Sequence, residues 1–235
     1  MRSYGKFDDY ASLRRYFERK LRKHLMNVRG RSEGTKRYRF EHCLRVARIG
    51  RRVAEAEGLD PELLELGCMM HDYGKWDAVK PVDHGRAGAI AVRDLLLEAE
   101  LDERDVAEIT QGIAMHTDGL YNARTDKQGT KADAEGRPYL IFGSEPTVLA
   151  RSIGDCDNVD RFSTYRIYDT LRHFDFLGLT SEEQIEWITG YIGTLREQRE
   201  YQCATETCQK MWIASIGYQE QFMKRLLGEI VPSEL

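Results

Sequence analysis

The sequence predicts an all-α fold: a single-domain helical bundle interrupted by one long polar loop at about 117–145. Three observations carry this reading. Apolar residues recur at helical period along nearly the whole chain. Cap and stop residues punctuate these runs at plausible helix lengths. Strand signals are almost absent, Tyr139-Leu140-Ile141-Phe142 being the one strand-like stretch. The chain has 235 residues, 41% hydrophobic and 31% charged, which is enough to bury a proper core.

In order, Leu13, Phe17, Leu21 and Leu25 fall at four-residue spacing and share one stripe. Asp8 or Asp9 is the expected cap of that first helix, and the stretch Arg29-Gly30-Arg31-Ser32-Glu33-Gly34 is expected to end it. A second helix is predicted from about Tyr38 to Glu57, with Val46, Ile49 and Val53 inward and Gly58 as its stop. Asp60-Pro61 reads as N-cap and first-turn proline of a third helix leading to His71. Asp102, with Asp105 three residues on, starts another. Ser181 with Gln184 is the predicted capping box of a later helix, and a long final helix is expected over about Tyr201 to Glu229. The polar interruption carries Asn122, Gly129, Gly136, Pro138 and Gly143, and a stretch of this length is either a lid or a surface loop.

Composition excludes several classes. The mean hydropathy is −0.57, and the richest apolar run, Leu63 to Met70, falls short of the roughly 18 residues of a membrane span. The N-terminal residues show no apolar leader core. The five cysteines, Cys43, Cys68, Cys156, Cys203 and Cys208, form no CxxC pair. A disulfide framework is therefore not expected, whereas a reduced cytoplasmic location is. Charge is uneven: residues 1–52 hold 17 Lys+Arg against 5 Asp+Glu, a balance of +12, and the remainder holds 18 against 34, a balance of −16. That asymmetry suits either a phosphate-seeking arm or a solvated helix face pairing with acids of the same chain.

The chemistry-bearing stretch is Cys68-Met69-Met70-His71-Asp72-Tyr73-Gly74-Lys75. An apolar helix buried up to Met70 brings His71 and Asp72 to the edge of the core, where an imidazole and a carboxylate are costly without a charged partner. Gly74 is expected to let the chain turn away sharply, leaving Lys75 as a fixed cation nearby. A lone histidine in such a helix is otherwise a satisfied core residue. Its company speaks for a site: Asp155 and Asp157 at the end of another apolar helix, and His42 on a helix that packs Val46 and Ile49 inward.

The order His42, His71-Asp72, Asp157 resembles the HD superfamily of metal-dependent phosphohydrolases. Cys68 to Lys75 is similar to the family's "LHDxGK" core, Phe40 to Ala47 to its "H-x-x-R-V-A" first helix, and Asp157-Asn158-Val159-Asp160 to its closing "ADxxD" element. The resemblance runs from about Tyr38 to Arg161 and implies a helical bundle of the HD-domain type. In that organisation 1–36 is a basic helix packing on the domain, 37–165 the metal-binding core, and 166–235 helices completing the bundle. By the same resemblance His42, His71, Asp72 and Asp157 hold a metal, with Asp155 as the alternative to Asp157. His84 and His116 serve a second metal or the substrate, and Asp72 and Lys75 are catalytic. Arg39, Arg45, Arg86 and Arg161 lie near these motifs and are candidate phosphate contacts. His24, His173, Cys203 and Cys208 read as ordinary surface or packing residues.

The implied cofactor is one or two divalent ions of Mn, Fe, Co, Ni or Zn, since imidazole-rich sites disfavour Mg and Ca. The implied activity is hydrolysis of a phosphoester or phosphoanhydride bond of a nucleotide or other small phosphorylated molecule by metal-bound hydroxide. An HD-fold di-iron oxygenase, using the same six ligands, is the first alternative. A non-catalytic regulatory or nucleic-acid-binding module is the second. Nucleic acid is not the expected partner, because aromatic and basic residues do not interleave as a stacking platform requires.

Overall fold

A computed structural model describes residues 4–122 and 131–231. Nine α-helices occur among the described residues: α1 (Tyr10–Met26), α2 (Glu33–Glu57), α3 (Pro61–Met70), α4 (His84–Glu98), α5 (Glu103–Met115), α6 (Val148–Arg161), α7 (Thr164–His173), α8 (Ser181–Gln198) and α9 (Glu206–Ile230). The described residues contain no strand, only an isolated bridge between Ala132 and Pro138. None of the described helices is long and apolar enough to cross a membrane. The chain forms two compact units, Met1–Asp157 and Asn158–Leu235, with the division inside α6.

In the first unit, α1 packs on α2 and α3, α2 on α3, α3 on α5, and α4 on α5. The four-residue stripe of α1 is the reason it docks: Leu13, Phe17, Leu21 and Leu25 are all buried. Each such side chain contributes about 1.5–3 kcal/mol when removed from water. Asp9 caps α1 by accepting from Ser12 N, and Asp60 caps α3 by accepting from Glu62 N and Leu63 N ahead of Pro61. Glu65 pins three helices together. Its carboxylate accepts from Arg14 Nε at 2.7 Å, Arg51 Nη1 at 2.9 Å and the Tyr10 hydroxyl at 3.0 Å.

Several local expectations need correction. Ser32-Glu33 does not belong to a break: the Ser32 side chain accepts from Thr35 N and opens α2, five residues before the expected start at Tyr38. The capping box of α8 is Thr180 with Glu183, not Ser181 with Gln184. Thr180 has the extended backbone a cap requires (φ −66°, ψ 164°), whereas Ser181 is already helical. The final helix starts at Glu206 behind Thr205, later than Tyr201. Tyr139 to Phe142 forms no strand.

Of the expected loop, 123–130, including Gly129, lies outside the described residues, as do 1–3 and 232–235 of the expected terminal segments. The described flanks are tied to the first unit. Thr117 Oγ1 donates to Val82 O at 2.8 Å, Asn122 exchanges two hydrogen bonds with the Phe142 backbone, and Tyr139 packs on Ala87 and Ile90 of α4. In the second unit α8 packs on α9 and α7 on α9. There Gln219 receives the Tyr191 hydroxyl at 2.8 Å and donates to Ser163 O at 3.1 Å.

Candidate metal centre

Three of the four histidines singled out by motif sit where a helix ends or begins. His71 and His116 occupy the C-caps of α3 and α5, and His84 opens α4 after a short 3-10 turn, Pro81–Asp83. Each ring turns its Nδ1 to the carbonyl three residues back: His71 to Cys68 O at 2.7 Å, His116 to Ile113 O at 2.7 Å, His84 to Pro81 O at 2.5 Å. A carbonyl can only accept, so Nδ1 carries the proton in all three. The neutral ring then presents Nε2 as a bare lone pair. The motif puts the histidine at the helix end, and the helix end chooses the tautomer.

Those lone pairs converge. His42 Nε2 lies 3.2 Å from His71 Nε2 and 3.0 Å from Asp157 Oδ1. His84 Nε2 lies 3.0 Å from His116 Nε2 and 2.9 Å from Asp72 Oδ1. Asp72 stands between the two groups, with Oδ2 3.6 Å from His42 Nε2 and 3.5 Å from His71 Nε2 while Oδ1 faces His84 and, at 3.7 Å, His116. Of the sets whose ligand atoms all lie within 4.8 Å of one another, two are built from these residues: His42, His71 and Asp157, and His71, Asp72 and His116. All are buried except Asp157, whose side chain is 21% exposed. Asp155, two residues from Asp157 and so about 200° round the same helix, is in neither set.

Packing makes this convergence possible. Gly74 lies in the run of turns at 71–77, but its φ is not among the positive ones, so the turn itself does not require a glycine there. It serves close approach instead: a Cβ there would stand 2.6 Å from His84 O. Gly85 does the same for α5, where a Cβ would stand 2.6 Å from Ile113 O, the carbonyl that His116 uses.

The electrostatics favour a cation in this pocket. Burial pushes Asp72 and Asp157 up, but neighbouring charges overcome it, Arg39 and Lys75 at Asp72 and His71 at Asp157, so both stay well below the usual carboxylate range. Burial pushes His71 down, yet Asp72 and Asp157 outweigh it and hold its pKa well above the ordinary histidine value. At His116 burial wins and the pKa falls to about 4, which keeps it a neutral donor. Asp72 Oδ1 is buried without a hydrogen bond of acceptable geometry, although His84 Nε2 is 2.9 Å away. Lone pairs aimed at an orphaned carboxylate oxygen repel unless a positive ion lies among them. The residues present therefore fit a divalent ion, and the mixed imidazole and carboxylate set suits a transition metal.

The candidate phosphate contacts divide. Arg39 pairs with Asp72. Lys75 Nζ lies 3.3 Å from His84 Nε2 and 3.8 Å from Asp72 Oδ1, and burial lowers its pKa. Arg45 lies over the Tyr38 ring at 5.7 Å, a ring itself stacked 6.3 Å from His42. Arg86 is buried and spoken for: it holds Asp83 at 2.8 Å, Asp118 at 3.1 Å and Leu120 O at 2.9 Å. Arg161 is exposed and lies over Phe162 at 5.8 Å. Sequence reasoning missed Asp83 and Asp118, the two carboxylates that make Arg86 a brace between the His84 and His116 segments. Adjacency to His84 was the one signal available for Asp83. His24 also has partners: Nε2 meets Asp77 Oδ2 at 3.0 Å and the ring stacks on Tyr73 at 4.1 Å.

An all-helical unit with a buried histidine–carboxylate pocket of this kind has the donor set of a metal centre. The sequence profile of the HD domain matches residues 39–161, more than half of the chain, and the chain belongs to the HD-domain family. Among solved structures it is similar to one described as a predicted HD superfamily hydrolase from an uncultured Thermotogales bacterium, at 17% identity and TM-score 0.57, covering 92% of this chain and 91% of that one. It is also similar to Bacillus subtilis YpgQ, solved in complex with ADP, at 13% identity and TM-score 0.58, covering 96% of this chain and 99% of that one. At these identities the likeness is one of fold. A search of curated proteins finds no significant match. Family membership and the clustered His and Asp side chains together support metal-dependent hydrolysis as the general class of chemistry.

Proposed function

We propose that this protein is a metal-dependent phosphohydrolase acting on a nucleotide or another small phosphorylated molecule. One observation carries the reading: Asp72 turns Oδ2 to His42 and His71 and Oδ1 to His84 and His116, so a single carboxylate joins two groups of imidazole lone pairs. His42, His71, Asp72 and Asp157 would hold the ion, with His84 and His116 available for a second. When bound, such an ion lowers the pKa of a coordinated water from 15.7 towards ~7 and polarises a phosphoryl oxygen.

The chain's own groups do the rest. The Nδ1 hydrogen bonds of His71, His84 and His116 fix ring orientation, as partners behind metal ligands commonly do. Asp72 and Asp157 stay ionised at neutral pH. Lys75, 28% exposed at its side chain, is the cation beside Asp72 best able to meet a phosphoryl oxygen and offset its charge. Arg39 neutralises the other side of Asp72 and positions it. Arg86 serves the scaffold. The nucleotide part of the reading is supported by YpgQ, a protein of the same fold solved with ADP.

The test joins elemental analysis of protein purified without chelators to a phosphoester and nucleotide panel on wild type and Asp72→Ala. Expected are at least one equivalent of transition metal in wild type and a hydrolysis rate that collapses in the variant. Equal rates for the two proteins across the panel would overturn the proposal. So would iron-dependent oxygen uptake without any hydrolysis, which belongs to an oxygenase.

A further inference from the structure

The outward face of α1 and α2 carries a charge pattern that the metal centre does not use. On α1 the buried stripe is Leu13, Phe17, Leu21 and Leu25, and on the opposite arc Arg15, Arg19, Arg22 and Lys23 are all exposed. These four positions fall within about 100° at 100° per residue. On α2, Arg37, Arg48 and Arg52 are exposed and share an arc of about 60°, opposite the buried Cys43, Val46, Gly50 and Val53. The two helices pack together, and Arg22 lies 5.8 Å over the Phe40 ring, which joins the two stripes. Arg29 and Arg31 are exposed in the connection between them.

Three of the acids of this region are paired, and Glu41, exposed on the same arc of α2 as Arg37 and Arg48, is the exception. Glu18 pairs with Arg14, Glu33 with Lys36 and Glu55 with Arg51. Arg19, Lys23, Arg29, Arg37, Arg48 and Arg52 have no carboxylate partner among the described residues. Seen from outside, this face carries a clear excess of cations, with Glu41 set among them, on a chain whose net charge is −4.

We propose that this face docks on the phosphodiester backbone of a nucleic-acid duplex, without reading its sequence. Three features choose this partner. The cations are mostly arginines, whose planar forks match phosphate oxygens in pairs. No large apolar side chain on α1 or α2 is exposed, and a helix that lies on a membrane needs such side chains to insert. The same absence leaves no exposed aromatic to stack on unpaired bases, which single-strand binding would use. The expectation against nucleic acid rested on that missing platform, but contact with a backbone needs none. From Arg37 to Arg52 the stripe runs about 22 Å at 1.5 Å per residue, enough to meet about five phosphates.

The experiment is fluorescence anisotropy of the full chain with labelled 24-base-pair DNA and RNA duplexes between 50 and 200 mM NaCl. Five neutralised phosphates give a log–log slope of about −4.5, so affinity for at least one duplex should fall about 500-fold over that range. The variant Arg19→Ala/Arg37→Ala/Arg48→Ala/Arg52→Ala alters exposed positions and should melt like wild type. Its slope should shrink by about 3–4. Asp72→Ala should bind duplex as wild type does, which keeps this result separate from the fate of the hydrolase reading. No binding at 50 mM NaCl, equal binding by the quadruple variant, or capture by phosphatidylserine vesicles but not by either duplex would each overturn the proposal.

Discussion

Two buried carboxylates of the first unit, Glu65 and Asp72, look alike in burial and differ in what surrounds them. Glu65 is met by Arg14, Arg51 and the Tyr10 hydroxyl. Its oxygens are used, and its partners hold α1 and α2 against α3. Asp72 has Arg39 on one oxygen, while the other is buried without a hydrogen bond and faces two imidazole nitrogens. A carboxylate saturated by fixed cations belongs to the scaffold. One with an oxygen left without a hydrogen bond, facing imidazole nitrogens, has surroundings that fit a metal ion.

The contrast can be broken from either side. Removing Asp72 should have the largest effect: Asp72→Ala is expected to lose its metal and about 10³-fold in kcat/KM, while the bundle stays folded by circular dichroism. Arg86→Met takes the guanidinium away from Asp83, which is fully buried, and should cost about 3 kcal/mol in denaturant unfolding. Because the same guanidinium ties the segments carrying His84 and His116, metal stoichiometry measured on the folded fraction should fall as well. Glu65→Gln should lower stability by about 1–2 kcal/mol and leave the metal content per folded molecule unchanged.

The pH dependence of that last pair sharpens the comparison. Although burial raises it, hydrogen bonds from Arg14, Arg51 and Tyr10 bring the Glu65 pKa below its ordinary value. Its contribution is therefore present above about pH 4.5 and is lost as pH falls through the folded-state pKa. Wild type and Glu65→Gln should converge in stability only in acid. The metal centre titrates elsewhere. His71 is held above the usual histidine value by Asp72 and Asp157 despite burial, so a proton competes with the metal there. Apparent affinity, followed by competition with a chelator, should weaken up to about tenfold per pH unit below the raised His71 pKa.

How much of this was legible in the sequence depends on how local each feature is. The α1 stripe, the Asp9 and Asp60 caps and the helix leading to His71 follow from periodicity and cap chemistry, which act over a few residues. The six metal-capable residues could be named by resemblance. Ser32 was misplaced because a serine between glycines reads equally as loop or cap, and only the backbone beyond it decides. Gly74 was expected at a turn, yet its freedom from a Cβ matters because His84 O comes close, a fact ten residues downstream. Arg86 looked available for phosphate because Asp118, its partner, lies 32 residues away. The two faces of Asp72 depend on side-chain rotamers that no sequence pattern records.

Each of the three rings at the helix termini is suspended from a carbonyl three residues back, in the turn that leads into it, rather than from an element distant in sequence. The donors are thus set by short stretches that fold with their helices, and their aim does not wait for the ion. Stripping the protein with a chelator should leave an empty but correctly shaped receptacle, ready to refill at the speed of diffusion and ligand exchange instead of the speed of refolding.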